Sequence, residues 1–129
     1  MTRDGRQPED VARPRAPYSP VVVSEDLVYT SGQVAFDTGG VLVSGGIEEQ
    51  TRQVLDNLER CLAAGGCELG DVVKVTAFLA DLGDFEAFNR VYSERFAPPY
   101  PARSTVGVRL ADGLLVEIEA VARRAGPDR

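Results

Sequence analysis

Histidine is missing from all 129 residues. Its absence excludes every Ser-His-Asp and Cys-His mechanism, together with the usual zinc and haem ligand sets. Acid–base chemistry in this chain therefore falls to carboxylates, Tyr, Lys or Cys. Cysteine is scarce too. Cys61 and Cys67 are the only two, too few and too awkwardly spaced for a disulfide framework or a zinc site. Cys61 falls in a helical pattern, where a packed thiol is expected. Basic charge is the minority sign, with 14 Lys and Arg against 20 Asp and Glu, a net charge of −6 and a pI near 4.6. That balance argues against a general affinity for nucleic acid, whose phosphates demand a basic surface. No apolar run approaches the roughly 20 residues that a membrane helix requires. The early arginines have no apolar core behind them and do not read as a secretory signal, so a cytoplasmic protein is expected.

What is present fits one domain with a single two-layer core: 43% apolar and 26% charged residues, ordinary for a soluble globular chain. Residues 1–16 mix charges with Pro8 and Pro14, hold few apolar side chains, and are expected to form a mobile arm. Val21-Val22-Val23 and Leu27-Val28-Tyr29-Thr30 read as strands about a polar turn, and Val34-Ala35-Phe36 and Val41-Leu42-Val43 as a second such pair. From Ile47 to Ala64 the period becomes helical, with Val54, Leu55, Leu58 and Leu62 on one stripe and Gly65-Gly66 as a stop. Val72–Leu79 is a β-branched run suited to a central strand. Asp84 can cap a second helix, about 85–96, with Phe85, Phe88, Tyr92 and Phe96 inward. The domain is expected to span residues 17–124, and the tail from 125 to 129 to fray. The element order predicts an α+β (mixed α/β) fold, one mostly antiparallel sheet with two helices packed on one face.

The most informative segments are Pro101-Ala102-Arg103-Ser104-Thr105-Val106 and Val116-Glu117-Ile118-Glu119-Ala120. Both alternate as strands do, and Ala111-Asp112-Gly113 between them predicts a hairpin. With the apolar faces on a common core, the other face would carry Arg103, Arg109, Glu117 and Glu119 together. A guanidinium beside a carboxylate can hold a substrate carboxylate and activate a water. A solvated, salt-bridged face is the plainer reading of the same residues.

Further strings resolve that choice. Ala16-Pro17-Tyr18-Ser19, Thr30-Ser31-Gly32-Gln33, Glu49 through Leu58, Asp71-Val72-Val73-Lys74-Val75-Thr76, Asp84-Phe85, Asn89-Arg90-Val91-Tyr92, Pro101-Ala102-Arg103-Ser104 and Val116 through Ala122 occur in the order and spacing of one family. From about Ala16 to Ala122 the chain resembles the Rid (YjgF/YER057c-like) family, in its reactive intermediate deaminase A branch. The resemblance implies a chorismate-mutase-like fold that assembles as a homotrimer, with the sheets forming an inner barrel and the sites in clefts between subunits. It implies hydrolysis of 2-imino or 2-enamino acids to 2-oxo acids and ammonia without metal or organic cofactor. No nucleic acid and no membrane is implied as a partner.

By the same resemblance, Arg103 matches the arginine that holds the substrate carboxylate, and Glu117 the acidic residue that positions the attacking water. Tyr18, Ser31, Gly32 and Asn89 match cleft residues. Thr105 stands where cysteine is frequent, so a thiol is not required there. Ala16 replaces a usual glycine and Ala111 a common proline, departures that bear on substrate range. A dicarboxylate substrate calls for more cations than these positions supply. A regulatory trimer that binds 2-oxo acids without turnover would need Arg103 but not Glu117. A pathway-specific enzyme acting on an unusual imine or related electrophile is the other alternative. Ribonuclease activity, sometimes ascribed to the family, fits poorly with the acidic pI and the lack of histidine.

Overall fold

The structure, a computed structural model, describes residues 3–125. Six strands form one sheet in the order β1-β2-β3-β6-β4-β5: β1 (Asp4–Arg6), β2 (Val21–Ser24), β3 (Leu27–Thr30), β4 (Val72–Leu79), β5 (Ala102–Gly107) and β6 (Val116–Arg123). Every neighbouring pair is antiparallel except β4 and β5. That parallel pair needs a crossover, and α2 (Phe85–Arg95) supplies it. The other helix, α1 (Ile47–Ala64), has the predicted bounds. Its start is fixed by Glu49, whose carboxylate accepts the Gly46 N–H at 2.9 Å and is held below the usual range by it. Gly66 ends the helix region with φ +83°, a conformation open to glycine. No helix among the described residues is long and apolar enough to cross a membrane.

The core lies between the sheet and the helices. Val54, Leu55, Leu58 and Leu62 of α1 are fully buried against Val75, Ala77 and Leu79 of β4 and Val116 and Ile118 of β6. Cys61 sits among them as expected, its thiol pushed up to about 12 by burial. Phe88, Tyr92 and Phe96 are buried; Phe85, expected inside, is exposed. Asp84 occupies the cap position of α2 without a side-chain capping bond.

Three expectations are corrected. The predicted hairpin between the Arg103 and Glu117 strands does not form, because β4 lies between them. Residues 108–115 instead cross the end of β4: Val108 N–H donates to the Leu79 carbonyl at 2.9 Å and Ala80 N–H to the Leu115 carbonyl at 3.0 Å. The buried Gln50 carboxamide of α1 clamps this crossing, donating to Gly113 O and accepting from Leu115 N. The second correction concerns residues 34–43, which form no regular strands: Asp37 N–H donates to Val41 O at 2.9 Å and Val43 N–H to Ala35 O at 3.0 Å, leaving an isolated bridge between Phe36 and Leu42. Asn57 of α1 takes the carbonyls of Val34 and Phe36 at 3.0 and 2.8 Å, removing them from any ladder. The third lies near the N-terminus, where Asp4–Arg6 pairs with Val21–Val23 although an arm was expected. Arg6 also donates to the Ala64 carbonyl at the end of α1, at 2.7 Å. Of the tail expected to fray, 126–129 lie outside the described residues.

Asn57→Ala would leave the Val34 and Phe36 carbonyls without their donors. A loss of about 1–3 kcal/mol is expected from urea denaturation, with amides of 34–43 losing hydrogen-exchange protection before those of α1.

Candidate active site

Sheet alternation decides where the charged residues go. On β6, Val116, Ile118 and Ala120 are buried toward the helices, so Glu117 and Glu119 project from the helix-free face. On β5 the register places Arg103 beside Val75 and Thr105 beside Ala77, both β4 residues that face the core. Arg103 and Thr105 therefore point to the helix side. The expectation that Arg103 shares a face with Glu117 is overturned: the apparently apolar Ser104/Val106 face of β5 is the helix-free one, and the charged residue is the one directed inward. Arg109 lies beyond the end of β5.

Arg103 is half-buried on an aromatic floor. Its guanidinium carbon lies 4.6 Å from the Tyr92 ring centroid, 5.3 Å from that of Phe88 and 5.9 Å from that of Phe85. Such contacts favour a cation held without a counter-charge. Its Nη2 donates to Asn89 Oδ1 of α2 at 2.8 Å, which fixes the plane of the group. No carboxylate pairs with it among the described residues. The Tyr92 hydroxyl beneath is buried, and burial raises its pKa despite the nearby guanidinium.

A second cluster forms around Glu117. The turn after β3 is bound to β6 by a reciprocal bridge, Gln33 N–H to Ile118 O at 2.8 Å and Ile118 N–H to Gln33 O at 3.1 Å. This seats Gly32 directly against the Glu117 side chain, where a Cβ would fall 2.7 Å from the carboxyl carbon. Only glycine permits that approach. Ser31 uses its hydroxyl structurally, donating to the Ser19 carbonyl at 2.6 Å, and its N–H reaches Pro20 O at 2.9 Å. These bonds hold Tyr18, which is 53% exposed, at the rim of a cavity of about 670 Å³ that Gly32 also lines. Burial pushes the Glu117 carboxyl up from its ordinary value, and the like charge of Glu119 adds to the shift.

The predicted site residues thus fall into two groups within one chain. Arg103, Asn89 and Thr105 lie on the helix side of the open edge. Glu117, Gly32, Ser31 and Tyr18 lie across the helix-free face. The tyrosine and two phenylalanines under Arg103 had been assigned to packing alone; their i, i+3/i+4 spacing beside a strand arginine was the available signal. No group of three or more Cys, Asp and Glu among the described residues is arranged to hold a metal ion.

Residues 9–124 match the family described as Endoribonuclease L-PSP. The chain belongs to this family, the Rid (YjgF) proteins. The chain is 43% identical over 116 residues to the RutC family protein PH0854 of Pyrococcus horikoshii, spanning 88% of this chain and 92% of that one. It is 44% identical over 108 residues to the human 2-iminobutanoate/2-iminopropanoate deaminase, covering 82% and 79%. The crystal structure of YEO7_yeast superposes with a TM-score of 0.92 at 36% identity, covering 96% of this chain and all of that one. The fold is therefore shared over nearly the whole chain.

The raised pKa of Glu117 has a signed consequence. The folded chain holds this proton more tightly than the unfolded chain, so the contribution of this group to stability is full below pH 4.5 and is lost as pH rises through the elevated folded value. Glu117→Gln is expected to raise the urea midpoint at pH 7.5, with the difference vanishing below pH 4.5.

Proposed function

We propose that the protein hydrolyses 2-imino and 2-enamino acids to 2-oxo acids and ammonia, in a site assembled between copies of a homotrimer. The observation that carries the reading is Arg103: a half-buried, oriented guanidinium with no carboxylate of its own. The 44% identity to an imine deaminase over most of the chain supports the reaction class.

Arg103 keeps its remaining N–H donors for a bidentate grip on the substrate carboxylate, with Asn89 fixing the fork. Thr105, two residues on, projects from the same face of β5. Glu117 supplies the opposite half. It holds a water, takes its proton as the oxygen attacks the imine carbon C2, and returns that proton to nitrogen. The carbinolamine hydroxyl then gives its proton through Glu117 to the amino nitrogen, the C2–N bond breaks to release ammonia, and the C2–O bond becomes the carbonyl of the 2-oxo acid. A carboxylate with an elevated pKa is a better base near neutrality than an ordinary glutamate. An enamine first takes a proton at carbon, from Tyr18 or Glu117. Gly32 leaves its backbone open to the substrate. These steps draw on no metal or organic cofactor, as the family resemblance implies.

Arg103 and Glu117 project from opposite faces of one sheet, so no single subunit closes this site. A neighbour that brings its helix-free face to the open β5 edge unites one copy's Arg103 with another's Glu117. The substrate then lies between the two, its carboxylate on Arg103 and its imine carbon toward the water on Glu117. A ring of three closes such a head-to-tail contact. The cytoplasmic setting expected from the sequence goes with this proposal.

The test generates imino acids with an amino-acid oxidase in the presence of catalase and traps survivors with semicarbazide. Wild type should lower semicarbazone formation. Glu117→Gln should cut the rate by about 10²–10⁴, and Arg103→Lys by about tenfold or more through loss of the bidentate fork. No effect of wild type on aliphatic, aromatic or small imines would sink the reaction. For the shared site, Arg103→Ala and Glu117→Ala chains are unfolded together and refolded as mixed assemblies. Random mixing in a head-to-tail ring should restore about one quarter of wild-type activity; no recovery would place both residues in one subunit's site.

A further inference from the structure

The cavity beside Gly32 is not explained by the carboxylate clamp and the water base. Its wall carries Arg13 and Arg15 and no Asp or Glu, in a chain where acidic residues outnumber basic ones 20 to 14. Neither arginine forms an ion pair or hydrogen bond among the described residues. Arg6, Arg52, Arg60, Arg90, Arg95 and Arg123 each pair with a carboxylate, whereas Arg3 and Arg109 are, like Arg13 and Arg15, without one among the described residues.

The segment carrying the two arginines is held in place. Val11 is 7% exposed and packs into the core. Thr38 Oγ1 donates to the Asp10 carbonyl at 3.1 Å, and the Arg60 guanidinium lies 3.5 Å from the Asp10 carboxylate. The Gln7 carboxamide bonds the Pro8 and Val11 carbonyls at 2.9 and 3.0 Å. Pro14 and Pro17 restrict the backbone on either side of Arg15. Gly32 lines this cavity on one side and lies under the Glu117 carboxyl on the other, so the cavity opens beside the proposed water base.

We propose that Arg13 and Arg15 form a second anion subsite, and that the preferred substrates are acidic 2-imino acids, carrying a second carboxylate on the side chain. This rests on the deaminase reading for turnover, but the subsite itself does not. The side-chain carboxylate enters the cavity and meets the two guanidiniums, while Arg103 holds the carboxylate next to C2. The cation shortage for a dicarboxylate, apparent when only Arg103 is counted, is met by this segment. Both arginines are exposed, and their single sign of charge at the mouth of a concave wall raises the local concentration of an anion.

Two measurements test it. Binding of 2-oxoglutarate is compared with that of 2-oxopentanoate, of equal chain length but without the second carboxylate, by isothermal titration calorimetry. Turnover is compared for the imines that D-aspartate oxidase and D-amino-acid oxidase produce from acidic and neutral amino acids. Wild type should favour the dicarboxylate by about tenfold in each. The preference should collapse in the Arg13→Ala/Arg15→Ala double variant, persist largely in Arg13→Lys/Arg15→Lys, and shrink with added salt. Equal binding and turnover of both classes by wild type, or a preference that survives the alanine variant, overturns the proposal while the deaminase reading stands. Arginine-dependent binding of 2-oxoglutarate with no turnover of any imine upholds the subsite and removes the deaminase reading. Absence of both binding and turnover removes both.

Discussion

The period-two alternation of the sheet governs this molecule's chemistry. Inserting β4 between β5 and β6 fixes their relative register, and alternation then sends Arg103 toward the helices and Glu117 away from them. A single-residue slip of either strand would exchange the faces and expose the core set Val116, Ile118 and Ala120. Apolar burial therefore holds two opposite charges apart within each chain. In the proposed assembly, a substrate held by one copy's Arg103 and attacked from another's Glu117 would bring the two residues into one site.

The two halves are supported differently. Arg103 rests on aromatic faces and an amide, a setting that tolerates a cation while leaving its planar donors available. Glu117 is set against backbone, with Gly32 pressed to its side chain and only another carboxylate for company. The first arrangement preorganises a binding group; the second stores a proton affinity. Each suits the step proposed for it, and each is fixed by a different layer of the fold.

Much of this architecture was readable from the chain. The helix over Ile47–Ala64 carries its stripe, its acidic first turn and its glycine stop within its own residues, and β4 announces itself by β-branching. The strings marked Glu117 and Gly32 as candidates, and the structure sets the two against each other. The hairpin was misread because local turn residues cannot reveal that a third strand, about 25 residues earlier, lies between its arms. The strand pair at 34–43 was misread because the competing partner, Asn57, is remote in sequence. The facing of Arg103 escaped for a related reason: a charged residue was assumed to avoid the core side, yet the ring stack of α2 gives it a place there. Asp4–Arg6 had no apolar pattern to mark it, and its pairing comes from backbone bonds to β2 rather than from side chains.

The contact between Gly32 and Glu117 also bears on how such a sequence can drift. The space that a side chain at 32 would require is already filled by the acid, so the two positions constitute one unit of variation rather than two. A lineage that abandoned water activation could replace the glutamate with a smaller residue, and only then would the glycine be released to vary. Loss of the glycine among relatives would in that case mark chains whose chemistry had already changed.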